Sequence, residues 1–210
     1  KVPVAAGLAG GSGNGAAVLH GLNRLWELGL SVRELCGIAA EIGADMPFCV
    51  MGQAKSNIKL GLAKDPLAAT CALAEGTGTE LTPLPPLDSY MILSKPPLSV
   101  STKEVYKAID RAKITARPDV DALVSGLRSG DREKVTANMC NVLEFYTLKA
   151  YNPVLYTKNK MRGIENIDTV LMSGSGPTVY GLAAGKRDAE KAGEVMKKIN
   201  KETFVTRTML

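Results

Sequence analysis

Five glycines fall within nine positions near the start of the chain, at Gly7, Gly10, Gly11, Gly13 and Gly15 of PVAAGLAGGSGNG. Such a stretch leaves the main chain nearly bare, and glycine lets another group approach it closely. The residues that follow have a helical period. Val18, Leu19, Leu22, Leu25 and Trp26 recur at spacings of three and four, which predicts one buried helical face, and Gly29 closes the run. A glycine-rich loop that opens a helix offers orphan amides and a positive dipole end to an anion, most often a phosphate. A tight helix–sheet contact would use the same glycines. The spacing G-x-x-x-x-G-K-[ST] is absent, because no lysine follows, and G-x-G-x-x-G is absent too.

Proton chemistry has few candidates. His20 is the only histidine, so a histidine-rich metal site is excluded and acid–base work falls to Asp, Glu or Lys. Asp45, in GADMPFCVMG, precedes Pro47, which fixes the local chain direction. That position suits either a carboxylate aimed at a substrate or an ordinary turn or cap. The four cysteines, Cys36, Cys49, Cys71 and Cys140, show no C-x-x-C spacing and lie among apolar neighbours. They are expected to be buried free thiols in a reducing compartment.

Hydrophobic residues make up 45% of the 210, enough for a real core, and no apolar run approaches the length of a membrane span. The first residues do not have the pattern of a signal peptide. The net charge of +5 comes from interspersed acids and bases, and aromatics are only 5%. That balance suits a small anionic molecule at least as well as nucleic acid, and charge alone does not decide between them; no nucleic-acid or membrane partner is expected.

The elements that must position these residues follow from local patterns. Ser31 and Glu34 form an S-x-x-E capping box, and Leu35, Ile38 and Ile42 carry a short helix to Gly43. An acid-bearing turn and an apolar run follow, then residues 54–70 interrupt the pattern. CALAEGTGTELTPLPP is expected to be a strand and a proline-rich connection, with the domain boundary at Pro83–Pro86. Beyond it YMILSKP is a strand and Ser101 with Glu104 starts a helix. Residues 119–128 and 131–150 are helical in pattern, the latter ending before Pro153. Two strands flank a Gly-Ser-Gly-Pro turn in IDTVLMSGSGPTVYGLAA, a helix runs from Arg187 to Asn200, and TFVTRTML is a last strand. The class is α+β, with mixed or antiparallel sheets flanked by helices.

Several of these stretches occur together in one family. PVAAGLAGGSGN, LWELGLS, GADMPFCVMG, LTPLPP, KPPLSVSTKEVYKAID and MSGSGPTVYG stand in the order found in 4-diphosphocytidyl-2-C-methyl-D-erythritol kinases, and the chain resembles that family of the GHMP kinase superfamily. The resemblance implies a two-domain GHMP architecture, with residues 1–82 belonging to the ATP-binding domain and 83–210 forming the second. It implies ATP with Mg²⁺ and transfer of phosphate to a hydroxyl of a cytidine-diphosphate sugar alcohol in isoprenoid precursor synthesis. Other GHMP kinases, such as homoserine kinase, and a nucleotide-binding domain without catalysis are the alternatives. By the same resemblance the triphosphate lies on Pro3, Val4, Ala5, Ala6, Gly7, Leu8, Ala9, Gly10, Gly11, Ser12 and Gly13. Ser12 is then the hydroxyl nearest the phosphates, and Gly13 stands where the family usually has a second serine. Asp45 matches the catalytic acid, which takes or polarises the substrate hydroxyl proton. Thr102 and Tyr106, one helical turn apart, match the stretch that lines the cytidine pocket; a core tyrosine is the other reading of Tyr106. No metal-ligating residues are implied, and the expected compartment is the bacterial cytoplasm or the plastid stroma.

Two departures accompany the resemblance. The family carries roughly a further third of its length ahead of the glycine loop, including a catalytic lysine, and a sheet lacking those strands would need a partner chain or dimer to cover it. Residues 54–70 are an extra segment whose start, AKSNIKL, is similar to the family's lysine-bearing A-K-x-N-[IL]-x-L pattern at Lys55 and Asn57. A solvated surface insertion would explain the segment equally.

Overall fold

The computed structural model describes residues 2–3, 5–112, 114 and 117–210. They cluster into two compact units. One consists of Ala9–Leu87 with Leu127–Gly130 and Met209–Leu210; the other joins the described residues before Ala9 to Asp88–Gly126 and Asp131–Thr208.

The first unit holds three helices, α1 (Gly10–Leu25), α2 (Val32–Ile42) and α3 (Met46–Ser56), a 3₁₀ turn at Ile58–Leu60, and an antiparallel hairpin of β1 (Ala72–Glu75) and β2 (Glu80–Pro83). The capping box forms as read: Ser31 Oγ accepts from Glu34 N at 3.4 Å, and the Glu34 carboxylate accepts from Ser31 N at 2.9 Å. The core consists of Ala16, Val32, Leu35, Ala39, Met46, Val50, Met51, Ala54 and Ala68. Small residues let α1 and α3 meet, with the Met46 Cε lying 2.7 Å from where a Cβ on Gly15 would sit.

Several expectations are corrected here. The buried face of α1 is Ala16 and His20, with Leu19 packed beside it, whereas Val18, Leu25 and Trp26 are 60%, 72% and 61% exposed. On α2, Leu35 is buried but Ile38 and Ile42 are exposed. Periodicity marks an apolar stripe, and here close helix approach favours alanine and glycine over the larger residues. The apolar run after Asp45, left without an element in the sequence, is helix α3. Residues 72–83 form two strands, not one. The segment 54–70 is no solvated insertion: its first three residues finish α3, with Ala54 buried, and Ala68 lies in the core with Leu62, Leu67 and Ala69 packed against it. Asp65 in that segment accepts from Val32 N at 3.1 Å and so supplies a second cap for α2.

The second unit is built on a four-stranded antiparallel sheet, with β3 (Tyr90–Lys95), β4 (Thr169–Met172), β5 (Val179–Ala183) and β6 (Glu202–Arg207) in the order β4-β5-β3-β6. Its helices are α4 (Thr102–Asp110), α5 (Val120–Ser129, whose last residues cluster with the first unit), α6 (Arg132–Asn138), α7 (Glu144–Ala150), α8 (Asn152–Arg162) and α9 (Lys186–Lys197). Ile92, Val154, Met161, Val170, Met172, Val179, Ala183, Ala189, Ala192 and Met196 form its core. Truncating one of the fully buried methionines to alanine costs roughly 2–5 kcal/mol. Buried polar groups are tied together: Asn200 Nδ2 donates to Ser94 Oγ and Thr157 Oγ1, each at 3.0 Å. The helix expected over 131–150 is two helices, α6 and α7, separated at Met139–Leu143. Helix α8 had no strong apolar signal, because its inward face mixes Val154 and Met161 with Thr157 and Lys158.

The cysteines are free, but Cys36, Cys49 and Cys71 are only half-buried and Cys140 is exposed, which corrects the expectation of four buried thiols. Burial, and then the nearby Asp65 carboxylate, pushes the Cys36 thiol up to about 11. Burial followed by the Asp45 charge raises Cys49, and burial raises Cys71. A thiol reagent at about pH 8 should therefore find one fast sulfhydryl, Cys140, and react slowly with the other three. The fast phase should vanish in Cys140→Ser; a second fast thiol in that variant would contradict the burial described.

Candidate functional site

The glycine loop enters its helix through an unusual backbone. Every second residue, Ala5, Gly7 and Ala9, has positive φ, at 50°, 70° and 48°. Left-handed alanine is strained, and an alternation of this kind turns successive amides toward one side, as in an anion-binding nest. Ala9 is the N-cap of α1, and no side chain caps the helix. The first i→i−4 bond is donated by Gly13 N to Ala9 O at 2.8 Å. The amides of Gly10, Gly11 and Ser12 precede that bond and point out of the helix end. No acidic residue lies in the first turn, so the positive end of the dipole is not neutralised by the chain. Pro3, Ala6 and Leu8 complete the loop, while Val4 lies outside the described residues.

Asp45 stands in the same unit as that first turn, at the N-cap of α3. It is exposed, and its carboxylate does not cap the helix it precedes. Its neighbour Met46 fills the notch at Gly15 on α1. Gln53, further along α3, donates Nε2 to Gly13 O at 2.7 Å and ties the two helices. His20 Nε2 donates to Val50 O at 2.9 Å and is only 3% exposed, so the single histidine is part of this helix contact. Lys55 occupies the last turn of α3, ten residues and about 15 Å of helix axis from Asp45. Asn57 accepts from Lys59 N at 3.2 Å and caps the 3₁₀ turn. The AKSNIKL segment is thus occupied with helix termination.

In the second unit, the Gly-Ser-Gly-Pro turn between β4 and β5 lies directly against the start of the loop. Ser173 Oγ donates to Gly7 O at 2.7 Å, and Thr178 N donates to Ala6 O at 3.3 Å. A Cβ on Gly7 would stand 2.4 Å from Ser173 O and 2.8 Å from Gly176 O. Only glycine fits there, on both counts of space and φ. The same turn reaches α4, where Thr102 Oγ1 and Ser175 Oγ are 2.9 Å apart. Tyr106, one turn further along α4, is 53% exposed and is not a core tyrosine; Val105 anchors the helix instead. Sequence reasoning found the turn but missed Asn141, Glu144 and Thr147, which hold it from α7 and the loop before it. The only signal available was an asparagine just ahead of a helix.

Residues 1–53 match the family model for the GHMP kinases N terminal domain. The 4-diphosphocytidyl-2-C-methyl-D-erythritol kinase of Alkaliphilus oremlandii is 40% identical over 210 residues, covering 99% of this chain and 66% of that protein. That of Clostridium beijerinckii is 38% identical over 210 residues, covering 100% of this chain and 69% of the relative. The chain belongs to the 4-diphosphocytidyl-2-C-methyl-D-erythritol kinase family. It spans about two thirds of the length of the curated relatives it matches. The fold agrees: a crystal structure of 4-(cytidine 5'-diphospho)-2C-methyl-D-erythritol kinase superposes with a TM-score of 0.74 at 28% identity, covering 99% of this chain and 68% of that one. The architecture is therefore the α+β GHMP kinase fold, with antiparallel pairing in both sheets of this family member.

The two ends of the glycine run should respond differently to a methyl group. Gly7→Ala forces a left-handed alanine onto the Ser173 carbonyl and should cost roughly 1–3 kcal/mol or more, a fall of several degrees in Tm. Gly11→Ala meets no atom within 4 Å and should leave Tm unchanged or raised. Equal melting temperatures for the two variants would contradict the packing described.

Proposed function

We propose that this chain provides the phosphoryl-transfer machinery of an ATP-dependent kinase acting on 4-diphosphocytidyl-2-C-methyl-D-erythritol, in isoprenoid precursor synthesis. The observation that carries the reading is the open first turn of α1, entered through alternating left-handed residues and lacking both acid and cap. The loop Pro3–Gly13 cradles the triphosphate, with the Gly10, Gly11 and Ser12 amides donating to its oxygens. Mg²⁺ would travel with the phosphates beside the Ser12 hydroxyl and spread the charge of the transferring group.

Asp45 carries the proton chemistry. Its carboxylate is exposed and uncommitted to a helix cap, so it is available to a substrate hydroxyl. As that oxygen bonds to the γ-phosphorus and the bridging β–γ bond breaks to leave ADP, the hydroxyl proton passes to Asp45. Thr102 hydrogen-bonds the cytosine and Tyr106 stacks on it from the exposed face of α4. Family membership at about 40% identity supports this substrate over homoserine or mevalonate.

Asp45→Asn preserves shape and removes charge and proton acceptor. It should lower kcat by on the order of 10²-fold or more, with Mg·ATP affinity changed by less than about twofold. Transfer is followed with 4-diphosphocytidyl-2-C-methyl-D-erythritol, homoserine and mevalonate as acceptors, and binding by calorimetry. Full turnover in Asp45→Asn would withdraw the catalytic role. Transfer to homoserine or mevalonate alone would withdraw the substrate, and nucleotide binding with no transfer to any acceptor would withdraw catalysis.

A further inference from the structure

Asn141 lies in the loop between α6 and α7 and has no part in the mechanism above. Its Nδ2 donates to both Met172 O, at 2.7 Å, and Gly174 O, at 2.8 Å. Its Oδ1 accepts from Leu143 N at 2.9 Å, which fixes the end of the amide that faces the turn. Three residues on, Glu144 accepts from Met172 N at 2.7 Å and is paired with the buried Lys158. Three further, Thr147 Oγ1 donates to Ser175 O at 3.3 Å. Side chains at a spacing of three therefore grip the backbone of 172–175. The gripped turn in turn holds the carbonyls of Gly7 and Ala6.

We infer that Asn141 is a positioning residue for the phosphate loop. By bridging the carbonyls on either side of Ser173, it fixes the backbone from which the Ser173 hydroxyl reaches Gly7 O. The inference rests on the reading of the loop as the triphosphate site. Asn141 is also the separable member of the clamp. Removing Glu144 would strand a buried lysine, whereas Asn141 is half-buried and uncharged. The β4–β5 pairing of Met172 with Val179 does not pass through it. Its loss should loosen the turn while leaving the sheet intact.

The test compares Asn141→Asp, which keeps the acceptor toward Leu143 but puts a carboxylate oxygen against two carbonyls, with the milder Asn141→Ser. Val135→Ala, in the buried face of α6, is the control for destabilisation without contact to the turn. Calorimetric titration with Mg·ATP should show about tenfold weaker binding in both Asn141 variants and unchanged binding in Val135→Ala. Amide exchange at Gly7 and Ser173 should quicken in the Asn141 variants alone. Unchanged affinity in a folded Asn141→Ser, or an equal loss in Val135→Ala, would overturn the positioning role while leaving the phosphate loop standing. Failure of the unmodified chain to bind Mg·ATP would overturn the phosphate loop, and the role of Asn141 with it.

Discussion

The start of the glycine loop has no room for a side chain at Gly7. Its backbone lies against the carbonyls of the Ser173–Gly176 turn, and the Ser173 hydroxyl closes the contact on Gly7 O. Two strands of the sheet, β4 and β5, feed that turn, so a loop at one end of the sequence is fixed by pairings more than 160 residues away. Left-handed alanines at positions 5 and 9 are costly locally, and such strain persists where surrounding contacts over-determine the backbone. The turn also meets Thr102 through Ser175, so one short segment sets both the loop and the start of α4.

In the other unit the same run of small residues serves a second purpose. Gly10, Gly11 and Ser12 leave the helix end bare, while Gly15 and Ala16 let α3 approach α1 closely. Close approach brings in Met46 and with it Asp45, at the end of α3 where its carboxylate does not cap. Gln53 and His20 tie α3 to α1 by hydrogen bonds as well as by packing. The segment 54–70 belongs to this arrangement, since it contributes Ala68 to the core and Asp65 to the start of α2.

What could be read in the sequence was what depends on neighbours along the chain. The glycine loop opening a helix, the Ser31–Glu34 box, the strands around the Gly-Ser-Gly-Pro turn and the α+β class all have local causes. The errors share a different origin. Val18, Leu25 and Trp26 look like a core stripe, but tertiary packing selected Ala16 and His20. Helix α8 hides behind Thr157 and Lys158, whose partners, Asn200 and Glu144, are distant in sequence. In the break between α6 and α7, Asn141 turns toward Met172 and Gly174, partners more than 30 residues away. Of the candidate site, the loop, Asp45, Thr102 and Tyr106 were named from motifs. The clamp behind the turn was not, because a hydrogen-bonding asparagine before a helix looks like any cap.

The central claim is that the open first turn of α1 and the loop ahead of it receive the phosphates of a nucleotide. Amide hydrogen exchange with and without Mg·ATP tests it most directly, because it reads the proposed donors one by one. The account predicts that nucleotide slows exchange at Gly10, Gly11 and Ser12 and at Gly7, with little change in the β1–β2 hairpin or in α9. Nucleotide binding that protects other segments and leaves those four amides unchanged would contradict it.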